Sequence, residues 1–165
     1  MKRRNHLPVC GVGPAYGFVV IVLTAAGVGM SGAGRLPAAR AEFAGVPMAG
    51  VGVLLIASGA WLWYCAVFRA RVGEHIRNNT LVTDGVYAWV RNPIYSAILM
   101  ACTGALLLAN NLWLLALPPA YWLFLTVLMK WTEERWLSDR YGREYAEYCR
   151  RVNRCIPWPP RRSRA

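Results

Sequence analysis

Long apolar stretches alternate with short polar ones along this chain, and three windows carry no Asp, Glu, Lys or Arg. These windows are positions 5–34, 43–68 and 92–129. A helix needs about 20 apolar residues to cross a bilayer core, so each of the first two windows can hold one crossing. The third window would measure roughly 57 Å as a single helix, which is about two crossings. The pattern therefore predicts an all-α, polytopic membrane protein with about four transmembrane helices.

The third window contains the signal of a helical hairpin. Asn110 and Asn111 lie near its middle and predict the turn, after which Leu112 to Met129 forms the fourth span. The first two predicted spans are Val9 to Met30 and Ala44 to Phe68. An apolar run after a basic start is also typical of a cleaved signal peptide, but the length of the first run favours a retained span.

A charged segment follows the fourth span and has the periodicity of an amphipathic helix. Leu137, Tyr141, Tyr145 and Tyr148 recur at helical spacings, and Gly142 is a candidate kink. We expect this C-terminal helix to lie on the cytoplasmic membrane surface or to fold back over the spans.

The distribution of charge favours a membrane topology over nucleic-acid binding. The net charge is +11, with basic residues before span one, between spans two and three, and after span four. The connection between spans one and two has only Arg35 and Arg40, and the Asn110–Asn111 turn has no charge. This alternation fits cytoplasmic N and C termini. The excess positive charge is then explained by topology and by attraction to anionic lipid headgroups, with no nucleic-acid partner. The oligomeric state stays open.

The cysteines and histidines predict no metal site. The five cysteines contain no C-x-x-C pair, and His6 and His75 are far apart in sequence.

We divide the chain into residues 1–80, with two spans and a cytoplasmic linker, a core of residues 81–160, and a basic tail of residues 161–165.

A polar stretch, LVTDGVYAWVRNPIYSA from Leu81 to Ala97, leads into the third span. Pro93 is tolerated in the first turn of a helix, and the positive dipole end of that helix suits a carboxylate ligand. Arg91 and Tyr95 are four residues apart and can share one helical face. The alternative is an interfacial anchor, with aromatic side chains in the headgroup layer.

Two adjacent carboxylates, Glu133 and Glu134, follow the fourth span. Acidic residues are unusual there because the membrane surface that they approach is already negative. Lys130 lies four residues before Glu134 and could pair with it on a continuous helix. The pair suits a cationic or hydroxyl-rich ligand, and the alternative is a solvated helix face.

These two blocks resemble the isoprenylcysteine carboxyl methyltransferase family and its phospholipid-methyltransferase relatives. That family carries a stretch like LVTxGPYRYVRHPxYxG and a later block like EERxLxxxFGxEYxxYxxRVPRxIP. The corresponding stretches here are LVTDGVYAWVRNPIYSA and EERWLSDRYGREYAEYCRRVNRCIP. The resemblance covers about residues 79 to 157.

The resemblance implies a small membrane enzyme that transfers a methyl group from S-adenosyl-L-methionine to a lipophilic substrate entering from the bilayer. The cofactor would lie at the cytoplasmic face, enclosed by both blocks. The implied cofactor contacts are Leu81, Val82, Tyr87, Asn92, Pro93, Tyr95, Glu133 and Glu134. Lys130 lies near the place where the family has a basic residue toward the substrate, and we assign catalytic roles to Arg91, Tyr95 and Lys130.

Three positions depart from the family pattern. Val86 replaces a proline, Ala88 an arginine and Asn92 a histidine. Asparagine cannot titrate near neutral pH, so position 92 either orients the cofactor or marks a weakened enzyme, and we favour orientation.

The scarcity of candidate bases favours carboxyl O-methylation of isoprenylcysteine type, because a carboxylate acceptor needs only an orienting cation. N-methylation of a phospholipid or another lipid is the alternative reaction. A non-catalytic lipid-binding or scaffold protein is the alternative class.

Overall fold

The structure is a computed structural model that describes residues 13–37, 39–40, 45–70 and 80–159. The predicted basic arm before the first span, the linker residues Glu74 and His75, and the basic tail of residues 161–165 lie outside the described residues. Within these ranges the chain is helical, with one isolated parallel bridge between Val90 and Asn153.

Five α-helices form the framework of the described chain. They are α1, Gly13–Gly32; α2, Gly45–Tyr64; α3, Pro93–Leu108; α4, Leu117–Trp131; and α5, Glu133–Arg151. Helix α2 continues into a π-helical turn, Cys65–Arg69, and two 3₁₀ turns, Gly85–Ala88 and Leu112–Ala116, precede α3 and α4.

Three of these helical stretches are long and apolar enough to cross a membrane. They are Gly13–Gly32, Val46–Arg69 and Leu112–Trp131, with mean hydropathies of 1.7, 1.9 and 1.8. Helix α3 is also apolar, but its 16 residues are shorter than a usual span. The described chain is thus an all-helical protein with three helices that meet the criteria for a membrane span.

Helices α2 and α3 form the most extensive helix pair, and glycines allow their close approach. A methyl group on Gly52 would lie 2.8 Å from the carbonyl oxygen of Gly104, and one on Gly59 would lie 2.8 Å from the carbonyl oxygen of Ala97. Only hydrogen fits at these two positions, so the backbones pack directly against each other.

The turn between α3 and the 3₁₀ turn that precedes α4 lies at Asn110 and Asn111, as the sequence predicts. Asn110 has a φ of 46°, and the Asn111 side chain accepts a hydrogen bond from the Trp113 backbone N–H. The buried Asn111 amide also donates to the Ser31 hydroxyl and to the Pro37 carbonyl oxygen. The hairpin tip is therefore bonded to the connection that follows α1.

At the end of the molecule away from the hairpin turn, the start of α1 contacts the start of α3. Gly13 and Tyr16, in the first turn of α1, lie against Tyr95 at the start of α3, and the Tyr16 and Tyr95 rings pack edge to face at 5.9 Å. Near the end of α2, Leu62 packs with Val90 beside this start. The polar residues singled out in the sequence lie at this end of the helices.

The segment after α5 was not predicted to pair with the polar stretch. It runs parallel to residues 90–92: Arg91 N–H donates to the Asn153 carbonyl at 2.8 Å and Asn92 N–H donates to the Arg154 carbonyl at 3.2 Å. Further along, Trp158 N–H donates to the Trp89 carbonyl at 3.1 Å. The C-terminal segment therefore closes the polar end of the helices.

Candidate functional site

A cavity of about 260 Å³ lies where the polar stretch before α3 meets the first turns of α5. Its size is near the lower end of small-molecule sites, roughly 300 Å³. The residues that line it come from both sequence blocks: Thr80, Leu81, Val82, Tyr87, Arg91, Asn92, Pro93, Ile94, Tyr95, Glu133, Leu137, Tyr141, Tyr145 and Tyr148. Seven of the predicted cofactor contacts are thus in one place, and Glu134 is the exception.

A tight turn presents Tyr87 to this cavity. Gly85 has a φ of 55°, a left-handed conformation that suits glycine, and it opens the 3₁₀ turn that carries Tyr87. The Tyr148 hydroxyl of α5 donates to the Tyr87 carbonyl oxygen at 2.7 Å. Burial, with a smaller contribution from the charge of Glu133, raises the pKa of Tyr87 to about 12. The phenol therefore stays protonated near neutral pH and can donate a hydrogen bond into the cavity.

Tyr95 and Glu133 join the two sequence blocks inside the cavity. The Tyr95 hydroxyl, on the first turn of α3, donates to Glu133 Oε1 at 2.7 Å. Burial raises the pKa of the Glu133 carboxyl, and the hydrogen bond from Tyr95 partly opposes this effect. A half-buried carboxylate with one neutral donor gains from a cation or from hydroxyl donors on a ligand.

Glu134 has a different environment from its neighbour. Its carboxylate forms a bidentate pair with Arg154, with Nη2 to Oε2 at 2.8 Å, and Arg91 Nη1 lies 3.1 Å from its Oε1. The hydrogen bond to Glu134, above all, raises the pKa of Arg154. Glu134 does not line the cavity and instead holds Arg91 to the C-terminal segment.

Arg91 lines the cavity, but its side chain is already engaged. It is only 9% exposed, and its Nη1 also donates to the Tyr145 hydroxyl at 3.3 Å and to the Cys149 sulfur. These contacts with α5 fix the guanidinium as part of the cavity wall.

Asn92 connects the cavity to the C-terminal segment through its side-chain amide. Its Nδ2 donates to the Arg154 carbonyl oxygen at 3.1 Å, and its own carbonyl accepts from the Ser96 hydroxyl at 2.9 Å. Pro93 occupies the first turn of α3, as the sequence predicts. The observed contacts of Asn92 are those of a residue that positions backbone.

Lys130 lies apart from the other predicted catalytic residues. It is exposed in the last turn of α4 and does not line the cavity. Thr132, with φ −120° and ψ −86°, separates α4 from α5, so Lys130 and Glu134 are not on one continuous helix. In the described part of the chain, Glu134 pairs with arginines and has no ion pair with Lys130.

The sequence interpretation missed two contributions to the site. The stripe of Leu137, Tyr141, Tyr145 and Tyr148 was predicted as a helix face, and it forms one wall of the cavity. Arg154 was not singled out, although it stands in the second family-like block and pairs with Glu134. Its position in that block was the available signal.

The chain is similar in sequence to known methyltransferases. A sequence model described as "Phospholipid methyltransferase" matches residues 42–144. The chain is 33% identical over 93 residues to protein-S-isoprenylcysteine O-methyltransferase B of Arabidopsis thaliana, covering 56% of this chain and 45% of that protein. It is 33% identical over 116 residues to protein-S-isoprenylcysteine O-methyltransferase of Xenopus laevis, covering 66% of this chain and 40% of that protein.

A bacterial relative has a different acceptor in its name. Methanethiol S-methyltransferase 1 of Bradyrhizobium diazoefficiens is 34% identical over 87 residues, covering 53% of this chain and 30% of that protein. The matched region is less than half the length of each of these three relatives. No solved structure matches the chain.

Proposed function

Because this chain belongs to the phospholipid methyltransferase family, we propose that it is an enzyme that transfers a methyl group from S-adenosylmethionine to a lipophilic acceptor. The observation that carries the proposal is the cavity in which Tyr87, Tyr95 and Glu133 meet beside the start of α3. These residues come from sequence blocks separated by two helices, and the fold brings Tyr95 within hydrogen-bond distance of Glu133.

The chemistry of the cavity fits this cofactor. The Glu133 carboxylate suits the ribose hydroxyls or the ammonium group, and the N-terminus of α3 at Pro93 suits the carboxylate. Tyr141, Tyr145 and Tyr148 also line the cavity, and tyrosine rings can bind a cationic or planar group. When bound, the cofactor supplies an electrophilic methyl group on a sulfonium.

The residues of this chain then act mainly by position and by exclusion of water. Tyr95 holds Glu133 in one orientation, and the Arg91–Glu134–Arg154 ion pairs hold the C-terminal segment over the site. We assign Arg91 and Tyr95 to the reaction centre. Lys130, which is exposed at the end of α4, acts as a cation that meets an acceptor arriving from outside the cavity.

We favour carboxyl O-methylation of an isoprenylcysteine-type acceptor. A carboxylate is already a nucleophile and needs no base, and the similar proteins from Arabidopsis and Xenopus carry this activity in their names. The alternative is N-methylation of a lipid headgroup. The raised pKa of Glu133 supports that alternative, because such a carboxylate is a better proton acceptor for an ammonium group. A non-catalytic lipid-binding protein is the alternative of a different class, supported by Asn92 and Val86.

We also propose that the chain crosses the membrane four times, with α3 as a short third span and the cavity at the cytoplasmic face. The clustering of basic residues on one side of the predicted spans supports this orientation. Both termini would then be cytoplasmic, beside anionic lipid headgroups, and the acceptor would enter from the bilayer.

Binding and turnover test the proposal in sequence. Calorimetry with S-adenosylhomocysteine and the full chain in detergent should give saturable heat, and its absence contradicts the enzyme assignment. Transfer of labelled methyl to a prenylated cysteine with a free carboxylate, compared with phosphatidylethanolamine, separates the two reactions. Cofactor binding without transfer to either acceptor would mean that both named acceptors are wrong.

A further inference from the structure

A second cavity, of about 520 Å³, lies on the other side of Arg91 from the proposed cofactor site, between α4 and the C-terminal segment. Its lining residues are Arg91, Trp122, Thr126, Cys149, Val152, Asn153, Arg154, Cys155, Ile156 and Trp158. Among the described residues, Arg91 is the only one that lines both cavities. We call this second space the rear cavity.

Two buried polar atoms distinguish the rear cavity from a packing defect. Arg91 Nε and Thr126 Oγ1 are the buried side-chain polar atoms that lack a hydrogen-bond partner in the described ranges of the chain, and both residues line this cavity. A buried donor without a partner is unfavourable, because it has lost its hydrogen bonds to water and gained none in return. Both groups can donate a hydrogen bond, so a ligand that satisfies them carries acceptor oxygens.

The charges around the rear cavity select an anion. Arg91 and Arg154 both pair with Glu134, so the cluster of three side chains keeps one positive charge in excess. The Arg91 side chain is 9% exposed, which leaves its charge little screened by water. A singly charged oxyanion therefore complements the cluster.

The walls of the rear cavity select an amphiphile. Trp122 of α4 and Ile156 and Trp158 of the C-terminal segment line it and are also exposed on the outer surface of the protein. Trp158 lies beyond the spans, where tryptophan is typical of the bilayer interface, whereas Trp122 lies near the middle of the apolar stretch Leu112–Trp131. An occupant with an apolar tail can thus reach the bilayer while its headgroup meets the two unpaired donors.

We propose that the rear cavity binds the singly charged phosphodiester headgroup of an anionic membrane phospholipid. This ligand is distinct from the methyl acceptor. Arg91 Nη1 is bonded to Glu134, Tyr145 and Cys149 of α5, and the two cavities share no other lining residue in the described part of the chain. Methyl transfer needs the reacting atoms about 3–3.5 Å apart, so the methyl acceptor must reach the first cavity, which is lined by different residues apart from Arg91.

Lipid retention measured by native mass spectrometry tests the inference without using methyl transfer. The full chain in mild detergent is titrated with phosphatidylglycerol or with phosphatidylcholine of the same acyl chains. We expect one phosphatidylglycerol to be retained preferentially. Thr126→Val removes one donor and Arg154→Gln removes the excess charge, and each should weaken this binding by about tenfold, the effect of one hydrogen bond to a charged group.

Matched controls are available elsewhere in the chain. Arg150→Gln removes an equal charge from an exposed site on α5, and Thr103→Val removes a hydroxyl from α3, and neither residue lines the rear cavity. Both should retain phosphatidylglycerol as the parent chain does. Because Thr126→Val preserves the shape of the side chain, it tests the site even if Arg154→Gln does not fold.

Four outcomes overturn the proposal. They are equal retention of both lipids, unchanged preference in Thr126→Val, displacement of phosphatidylglycerol by inorganic phosphate, and displacement by a prenylated cysteine. The third outcome would assign the cavity to a soluble anion, and the fourth would assign it to the acceptor. Failure of methyl transfer leaves this measurement unaffected, so the two proposals fail separately.

Discussion

Glu133 and Glu134 are neighbours in the sequence, yet the fold gives them opposite surroundings. Successive helical residues point about 100° apart, so one carboxylate faces the cavity and the other faces Arg91 and Arg154. The sequence interpretation assigned both to the cofactor because the family-like block contains both. It could not separate them, because the partner of Glu134 lies 20 residues later along the chain.

Glu133 gives a prediction in which stability and binding change in opposite directions. Its folded-state pKa is raised, so the folded protein holds this proton more tightly than the unfolded chain does. Its contribution to the free energy of unfolding therefore falls as pH rises from the unfolded-state pKa through the folded-state pKa. Glu133→Gln should raise the melting temperature at pH 7 and weaken S-adenosylhomocysteine binding about ten- to hundredfold.

Thermal melts at pH 5 and pH 7, with calorimetry on the same samples, check this expectation. The gain in melting temperature should be larger at pH 7, where the native carboxyl is ionised to a greater extent. Glu144→Gln on the exposed side of α5 is the control and should change neither quantity. Equal losses of binding in both variants would remove Glu133 from the cofactor site.

At the scale of elements, the helices follow from the sequence better than the contacts between their ends do. Local sequence signals predicted three features: the Asn110–Asn111 turn, the helix start at Pro93 and the break at Gly142. The parallel pairing of the C-terminal segment with residues 90–92 could not be predicted from local signals. Backbone hydrogen bonds between distant segments leave no periodic trace in either segment, so side-chain patterns cannot predict them.

Gly142 kinks α5 in the middle of the stripe of Leu137, Tyr141, Tyr145 and Tyr148 that lines the cavity. Its φ of 51° and ψ of −117° lie in a region open to glycine and strained for other residues. Gly142→Ala should therefore destabilise the protein by about 1–2 kcal/mol, measured by unfolding in mixed micelles. It should also weaken cofactor binding, because Tyr145 and Tyr148 follow the kink while Leu137 and Tyr141 precede it.

A glycine in an ordinary helical position provides the comparison. A methyl group on Gly29 of α1 would meet no atom within 4 Å, and alanine there should be neutral or stabilising. If Gly142→Ala is as stable as Gly29→Ala, the kink is not a required feature of α5.

At the scale of the whole molecule, the absence of charge in three windows predicted the order of the helices along the chain. Which helices pack together depended on glycines whose role is not visible in sequence. Gly52 and Gly59 admit α3, whereas Gly50 faces open space at a similar place on the same helix. Small residues permit close packing, but their neighbours in space decide whether it occurs.

The arrangement of the helix ends yields a topology prediction. The connection after α1 contacts the hairpin tip, while the cavity lies at the other end of the helices. If α3 crosses the membrane with α4, cysteines introduced at Arg35 and Ser138 lie on opposite sides. An impermeant maleimide added to intact cells should label Arg35→Cys and not Ser138→Cys.

Lysed cells, in which both positions should react, provide the control. The introduced residues are compared in a background without the native cysteines. Labelling of Ser138→Cys in intact cells would mean that α5 and the cavity face the outside, contrary to the proposed orientation.

Arg91 is a shared boundary, with the proposed cofactor site on one side and the rear cavity on the other. If a ligand in one cavity changes the affinity for a ligand in the other, the factor must be the same in both directions. Lipid composition would then act on the enzyme as an effector does. A membrane rich in the anionic lipid would set how much cofactor the protein needs for half-saturation.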